Sequence, residues 1–218
     1  MFIDRTDAGK KLASLLTEYA SEDCIVYGLP RGGIPVGFQI SEAIKKPLEA
    51  ILVKKIGVPG QEELALGAVA ESDEPAFYFN NDLMLSLHLT EQDLQSSITK
   101  RLDEIRVLRE RFRGKAKIQR EPNAAAILVD DGIATGATVK AAVMWLRSHS
   151  QKSIVVASPV CQKSVAGEIA QMVDTVVCVQ SPSVLFAVGE YYSDFTQVSD
   201  EEVEYLLKAA RINLSKKS

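Results

Sequence analysis

The 218-residue sequence has few histidines and cysteines, the residues that build structural zinc sites and disulfide frameworks. It contains two histidines, His88 and His149, and no C-x-x-C spacing, so a structural zinc site is not expected. Its three cysteines cannot all pair within one chain. Cys24, Cys161 and Cys178 each lie in or beside an apolar run, which predicts buried, reduced thiols.

Long apolar runs and clustered positive charge are also missing. No stretch approaches the roughly 20 apolar residues that cross a bilayer. Residues 1–7 lack the basic-then-apolar plan of a signal peptide. The formal net charge of −4 and the pI of about 5.4 argue against a surface that wraps nucleic acid. We therefore expect a cytoplasmic protein that binds neither membranes nor nucleic acid.

What the sequence does contain is apolar runs that alternate with helical patterns, which is the layout of an α/β protein with a parallel sheet. The length and the 46% of hydrophobic residues suit a single domain over 1–218. Strands are predicted at 24–28, 48–53, 66–70, 76–79, 124–129, 154–158 and 175–179. Helices are predicted at 6–19, 34–45, 90–113, 139–146, 164–172 and 199–209. The charged face of 90–113 is most simply a solvated surface, with a dimer contact as the alternative.

The most informative segment is 129–138, V-D-D-G-I-A-T-G-A-T, between a predicted strand and a predicted helix. Asp130 and Asp131 therefore lie at the carboxyl end of a strand, where carboxylates suit a sugar diol or a magnesium ion. The following turn points backbone N–H groups and the positive end of a helix dipole at one spot, which suits a phosphate. Each half alone has a plain alternative, a solvated strand end or an N-cap in a tight turn. Neither a Walker loop nor G-x-G-x-x-G is present.

This segment resembles the phosphoribosyl pyrophosphate signature of the type I phosphoribosyltransferases, an apolar residue followed by D-D-x-x-x-T-G-x-T. The resemblance implies a Rossmann-like, doubly wound parallel sheet with a small hood. It implies that Asp130 and Asp131 bind the ribose hydroxyls and, with the substrate, Mg²⁺. It also implies a 5-phosphate site made by Ala134, Thr135, Gly136, Ala137 and Thr138.

A second loop, Gly28-Leu-Pro-Arg-Gly-Gly33, ends the first predicted strand. Its glycines allow close backbone approach to a ligand, and the guanidinium of Arg31 suits phosphate oxygens. A plain tight turn is the alternative. The loop resembles the pyrophosphate-binding loop of the same family, which implies that Arg31, Gly32 and Gly33 hold the departing diphosphate.

Two lysines, Lys54 and Lys55, leave the second predicted strand and enter a predicted loop over 57–64. Exposed lysine pairs commonly serve only solubility. In the family this connection holds a flexible lid, which we expect over about 54–75, and a basic residue that steadies the pyrophosphate. Because alternate strand residues face opposite ways, only one of the two lysines should face the site.

The hood is expected over about 180–200, where aromatic residues are dense. An apolar cluster is the plain interpretation, and ring stacking on a planar base is the sharper one. The segment is similar to V-V-G-Y-x-x-D-Y of hypoxanthine-type members, with one extra residue. The similarity implies that Phe186 and Val188 contact the base and that Asp194 faces the magnesium–pyrophosphate. Gln162, followed by Lys163, stands where purine-salvage members carry a base-reading lysine, which leaves the base open.

The resemblance spans about residues 20–200. It implies a Mg²⁺-dependent enzyme, active as a homodimer in nucleotide salvage, that transfers ribose 5-phosphate from phosphoribosyl pyrophosphate to a purine-like nitrogenous base and releases pyrophosphate. The implied catalytic residues are Asp130, Asp131, Arg31, Lys54 and Lys55. The alternatives are a non-catalytic sensor of phosphoribosyl pyrophosphate and a ribose-phosphate pyrophosphokinase, although no internal duplication is present. The whole chain is most similar to an uncharacterised bacterial group of predicted phosphoribosyltransferases, whose acceptor is open.

Overall fold

The computed structural model describes residues 1–71, 73–114, 116–121, 123–149 and 151–215. Ser72, inside the expected lid, and residues 216–218, the end of the expected domain, lie outside these ranges. The strands are β1 (Cys24–Gly28), β2 (Leu48–Ala50), β3 (Val53–Val58), β4 (Gln61–Ala70), β5 (Ala76–Phe79), β6 (Ala125–Val129), β7 (Ser153–Val160) and β8 (Thr175–Gln180). The helices are α1 (Arg5–Ala13), α2 (Gly33–Ile44), α3 (Asn81–Ser86), α4 (Gln95–Arg113), α5 (Ala137–Ser148), α6 (Lys163–Ala170) and α7 (Asp200–Ser215).

The main sheet is parallel, with strand order β2-β1-β6-β7-β8, which confirms the predicted α/β class. Strands β1 and β6 are buried along their whole length, because helices cover both faces and every residue except the closing Gly28 is apolar. Strand β2 is added next to β1 at one edge of the sheet, whereas β6, β7 and β8 are added one after another in the opposite direction. The strand order therefore reverses between β1 and β6, where ligands of open α/β sheets bind outside the carboxyl ends of the strands.

Two apolar clusters cover the faces of the sheet. One contains Leu12, Ile40 and Leu207, and so joins α1, α2 and α7 to one face. The other contains Trp145 of α5 and Ala68 of β4, and so joins α5 and the second sheet to the opposite face.

The second sheet, β3-β4-β5, is antiparallel and corrects the prediction of a loop over 57–64. Strand β3 continues to Val58, and β4 begins at Gln61 after a turn at Gly60, whose φ is +80°. Most of the expected lid, 54–75, is thus paired backbone. The polar residues that suggested a loop are tolerated because this hairpin lies outside the main parallel sheet.

Three predicted helices differ most from the observed bounds, and the last of them, predicted over 199–209, extends to Ser215 as α7. The helix predicted over 6–19 begins at Arg5 and ends at Ala13. Asp4 caps it by accepting a hydrogen bond from Asp7 N at 2.7 Å. The helix predicted over 90–113 begins at Gln95 after a short 3₁₀ turn, and α3 before it was not predicted.

The three cysteines form no disulfide; Cys24 and Cys161 are buried and Cys178 is half-buried. Within the described ranges, no helix is both long and apolar enough to cross a bilayer.

Candidate functional site

The crevice at the strand reversal is formed by two loops, the glycine loop (28–33) after β1 and the signature segment (129–138) after β6. Their strands are neighbours, with Gly28 paired to Val129, and Leu29 N donates to Val129 O at 2.9 Å. A Cβ on Gly32 would lie 1.9 Å from Oδ2 of Asp131, so only glycine permits this approach of backbone to carboxylate. The structure therefore brings together the two loops that the sequence places about 100 residues apart.

The two aspartates are largely removed from solvent. Burial raises the pKa of Asp130 well above its usual range, and the neighbouring charge of Asp131 raises it further. Burial also raises the pKa of Asp131, although the Arg5 hydrogen bond opposes this. Asp131 N donates to Asp130 Oδ1 at 3.0 Å. Two partly buried carboxylates side by side favour a ligand that supplies positive charge or hydroxyl donors, so the plain alternative of a fully solvated strand end does not apply.

The turn before α5 has the features of an anion site. Gly136, with φ of +72°, occupies the N-cap position, and within the described chain no side chain caps this helix. The first-turn N–H groups therefore remain available, together with the positive end of the helix dipole. The plain alternative of a side-chain N-cap in this turn is not realised.

Arg5 is a site residue that the sequence analysis missed. Its Nε donates to Asp131 Oδ2 at 2.7 Å, and the two side chains are 11% and 15% exposed. Its Nη1 donates to Thr196 O at 2.8 Å, and its Cζ lies 3.9 Å from the ring centroid of Phe195. No local motif surrounds Arg5, and 126 positions separate it from Asp131, so the sequence carries no signal for this contact.

The hood reaches the signature segment at two points. The Tyr192 hydroxyl donates to Asp131 O at 2.6 Å. The Val188 side chain packs on Gly132, where a Cβ would lie 2.2 Å from Val188 Cγ1. The aromatic density of the segment was a usable signal for Tyr192, although its role here is a hydrogen bond rather than ring stacking on a base.

The predicted basic residues lie in different surroundings. Lys54 Nζ lies 3.5 Å from Glu104 Oε2 on α4, whereas the charge of Lys55 lowers the pKa of Asp130. Lys55 is exposed, so which of the two lysines faces the substrate stays a prediction. Arg31 is partly exposed, and its Nη1 lies 3.7 Å from Asp200 Oδ1 at the start of α7.

Two predicted hood residues are not drawn into the centre of the crevice. Phe186 is 85% exposed. Asp194 Oδ1 accepts from Thr196 Oγ1 at 2.6 Å and from Thr196 N at 2.9 Å, and these hydrogen bonds lower the Asp194 pKa. Their roles as base contact and metal-side carboxylate stay predictions.

The fold and site together define an α/β protein whose crevice, at the strand reversal of a parallel sheet, has two carboxylates at one end and an uncapped helix N-terminus at the other. Residues 5–194 match the family described as "Phosphoribosyl transferase domain". The chain belongs to the type I phosphoribosyltransferase family.

Relatives in two bacteria support this assignment. The chain is 40% identical over 211 residues to a Mycobacterium tuberculosis H37Rv protein named "Putative phosphoribosyl transferase Rv0571c", and the same holds for the CDC 1551 counterpart. These matches cover 96% of this chain and 47% of the relatives, so the chain spans about half the length of the curated relatives it matches. The crystal structure of TT1426 from Thermus thermophilus is 34% identical with a TM-score of 0.78, covering 95% of this chain and 97% of that one.

Proposed function

We propose that the chain transfers the ribose 5-phosphate group of phosphoribosyl pyrophosphate to a nitrogenous base and releases pyrophosphate. The observation that supports this most strongly is the meeting of three features in one crevice. These are the partly buried pair Asp130 and Asp131, the uncapped N-terminus of α5, and the glycine loop, which approaches Asp131 at Gly32. A sugar diphosphate with a 5-phosphate presents one group to each feature. The diol would meet the aspartates, the 5-phosphate the N-terminus of α5, and the diphosphate leaving group the glycine loop.

In this proposal the protein acts by positioning and electrostatics. Asp130 and Asp131 accept hydrogen bonds from the ribose 2- and 3-hydroxyls, and the N–H groups at 134–138 bind the 5-phosphate. Arg31 and the backbone of the glycine loop bind the diphosphate, and Lys55 adds positive charge near Asp130. The bond from the anomeric carbon to the diphosphate oxygen breaks, and a base nitrogen forms the new bond to that carbon.

A magnesium ion fits the chemistry of the aspartate pair. Carboxylate oxygens are the ligands that Mg²⁺ prefers, and it commonly takes only one or two of them together with substrate oxygens. Burial and the charge of Asp131 raise the pKa of Asp130, and the charges of Lys55 and Arg5 oppose this only in part, so a further cation would stabilise the ionised pair. No cluster of three or more potential protein ligands occurs among the described residues. When bound with the substrate, the ion would neutralise the diphosphate, and Asp130, Asp131 and Asp194 would hold it.

The acceptor is proposed to be purine-like, with Phe186 and Val188 on the base side. Gln162, in place of a base-reading lysine, donates from N to Ile133 O at 2.9 Å and from Nε2 to Ser164 Oγ at 3.0 Å. It thus lies beside the signature segment without adding positive charge. A neutral amide there would suit an acceptor other than the common oxopurines.

Pyrophosphate release with Mg²⁺ and a panel of purine and pyrimidine bases tests the proposal, with Asp130→Asn and Asp131→Asn as inactive references. Release with at least one base that both variants abolish is the expected result. Calorimetric binding of phosphoribosyl pyrophosphate without turnover on any base would instead favour the non-catalytic sensor. Absence of both binding and turnover would refute both functions. The homodimer and the cytoplasmic location stay predictions.

A further inference from the structure

We propose that Arg5 is a positioning residue that fixes the Asp131 carboxylate for the sugar diol and links that carboxylate to the hood. The inference rests on the proposed function of the crevice. It concerns a residue outside both sequence motifs, contributed by the first turn of α1.

The first step is the commitment of one carboxylate oxygen. Arg5 Nε holds Asp131 Oδ2 at 2.7 Å, and the same oxygen lies closest to Gly32 of the glycine loop. Charge-assisted hydrogen bonds of this kind are short and orienting. With Oδ2 held on that side, the rotation of the Asp131 side chain is fixed, and Oδ1 keeps its capacity to accept from a sugar hydroxyl.

The second step is that Arg5 is itself held in place. Its Nη1 donates to Thr196 O, and its guanidinium lies over the Phe195 ring. A planar guanidinium can donate hydrogen bonds along its edge while its face stacks on an aromatic ring, which an ammonium group cannot reproduce. An exposed ion pair has no such constraints and contributes little. Arg5 therefore has the surroundings of a fixed structural cation next to the site rather than those of a surface charge.

The third step connects the N-terminus and the hood into one unit beside the crevice. Phe2 N donates to Tyr191 O, Ser193 N to Phe2 O and Asp194 N to Ile3 O, each at 2.8 Å. The backbone of Phe2 and Ile3 is thus paired with the hood, shortly before the helix that carries Arg5. The same hood supplies the Tyr192 hydroxyl to the Asp131 carbonyl. Both the side chain and the backbone of Asp131 are therefore held by this unit.

The test compares Arg5→Gln, Arg5→Lys and Lys10→Ala by calorimetry with phosphoribosyl pyrophosphate and Mg²⁺. Arg5→Gln keeps a donor but loses the charge and the planar fork, and we expect affinity to fall about 10- to 100-fold, the worth of a hydrogen bond to a charged group. Arg5→Lys should recover only part of this loss. Lys10→Ala removes an exposed positive charge from the same helix, and we expect a change within about twofold.

Two further measurements separate positioning from a general structural role. In a double-mutant cycle, Arg5→Gln should have little further effect when Asp131 is already Asn, because both changes disable one unit. Arg5→Gln should also reduce the preference for ribose 5-phosphate over 2-deoxyribose 5-phosphate, since the second ligand lacks one diol hydroxyl. Additive losses, an unchanged preference, or tighter binding by Arg5→Gln would each overturn the inference.

Where Arg5→Gln fails to fold, Phe195→Leu provides the second variant. It removes the ring beneath the guanidinium and leaves the Arg5 hydrogen-bonding groups present. We expect a smaller loss of affinity with the same reduction in diol preference, and an unchanged preference would count against the inference. Failure of the proposed function is distinct, because wild-type protein would then bind neither sugar phosphate nor phosphoribosyl pyrophosphate.

Discussion

The two sides of the crevice differ in how the sequence encodes them. The signature side is local: two acids, a turn and a helix start follow one another within ten residues. The hood side is assembled from distant parts, since Arg5 contacts Asp131 across 126 positions and Thr196 across 191. Local backbone geometry places the first set of groups, and tertiary packing places the second. A motif can therefore identify what a site binds while omitting residues that orient its ligands.

The largest effects are expected on the signature side, from the substitutions Asp130→Asn and Asp131→Asn. We expect each to weaken binding of phosphoribosyl pyrophosphate at least about 100-fold. Each substitution removes a carboxylate charge and also changes the hydrogen bonds that the side chain offers to the ribose hydroxyls. Calorimetry with Mg²⁺ measures this. Unchanged affinity in both variants would contradict the assignment of the diol site.

The thermal stability of the Asp130→Asn variant tests whether Asp130 serves ligand binding rather than folding. Burial raises the folded-state pKa of Asp130, so its contribution to stability is complete only below its unfolded pKa of about 3.9 and is lost as pH rises through the folded value. Above the folded value, the ionised carboxylate does not favour folding. We therefore expect Asp130→Asn to unfold at the same temperature as wild type or higher. A clear loss of thermal stability at neutral pH would mean that Asp130 is structural.

The contact between the two loops is tested by Gly32→Ala. The new Cβ would lie 1.9 Å from Asp131 Oδ2, so the carboxylate or the glycine loop must move. We expect a cost of about 1–3 kcal/mol, the usual range for overpacking, expressed largely as lost substrate affinity. Gly167→Ala is the control, because its Cβ meets no atom within 4 Å in exposed α6, and we expect it to leave affinity unchanged. Equal affinity in both variants would show that the loops do not need this approach.

On the hood side, Tyr192→Phe is expected to have a smaller effect. The change removes only the hydroxyl that donates to Asp131 O at 2.6 Å and leaves a part-buried carbonyl without this donor. We expect a loss of about 1 kcal/mol in the free energy of unfolding and a smaller loss of substrate affinity. Chemical denaturation and calorimetry measure the two quantities. Tyr191→Phe is the neighbouring control, since it leaves the Tyr192 bond to Asp131 in place.

Sequence reasoning succeeded where structure depends on neighbours in the chain. The apolar runs that became β1 and β6 are buried because helices cover both faces of the sheet, and uninterrupted hydrophobicity is the pattern this burial produces. It failed over 57–64, where glycines and acids indicated a loop but pairing between β3 and β4 formed a hairpin. It also gave no sign of Arg5, because nothing adjacent to Arg5 marks which carboxylate it meets after folding.

The smallest expected effects distinguish the two lysines on β3. Lys55 lies opposite Ala68, which packs in the cluster that contains α5, so its side of the hairpin is the signature side. Lys54 lies opposite Val69, on the α4 side, and its ion pair with Glu104 is partly exposed, so its contribution should lie within about 1 kcal/mol. We expect Lys55→Ala to weaken phosphoribosyl pyrophosphate binding several-fold more than Lys54→Ala. The reverse order would mean that the hairpin turns its other face to the substrate, and the lid predicted from the family would then have to move relative to α5 before binding.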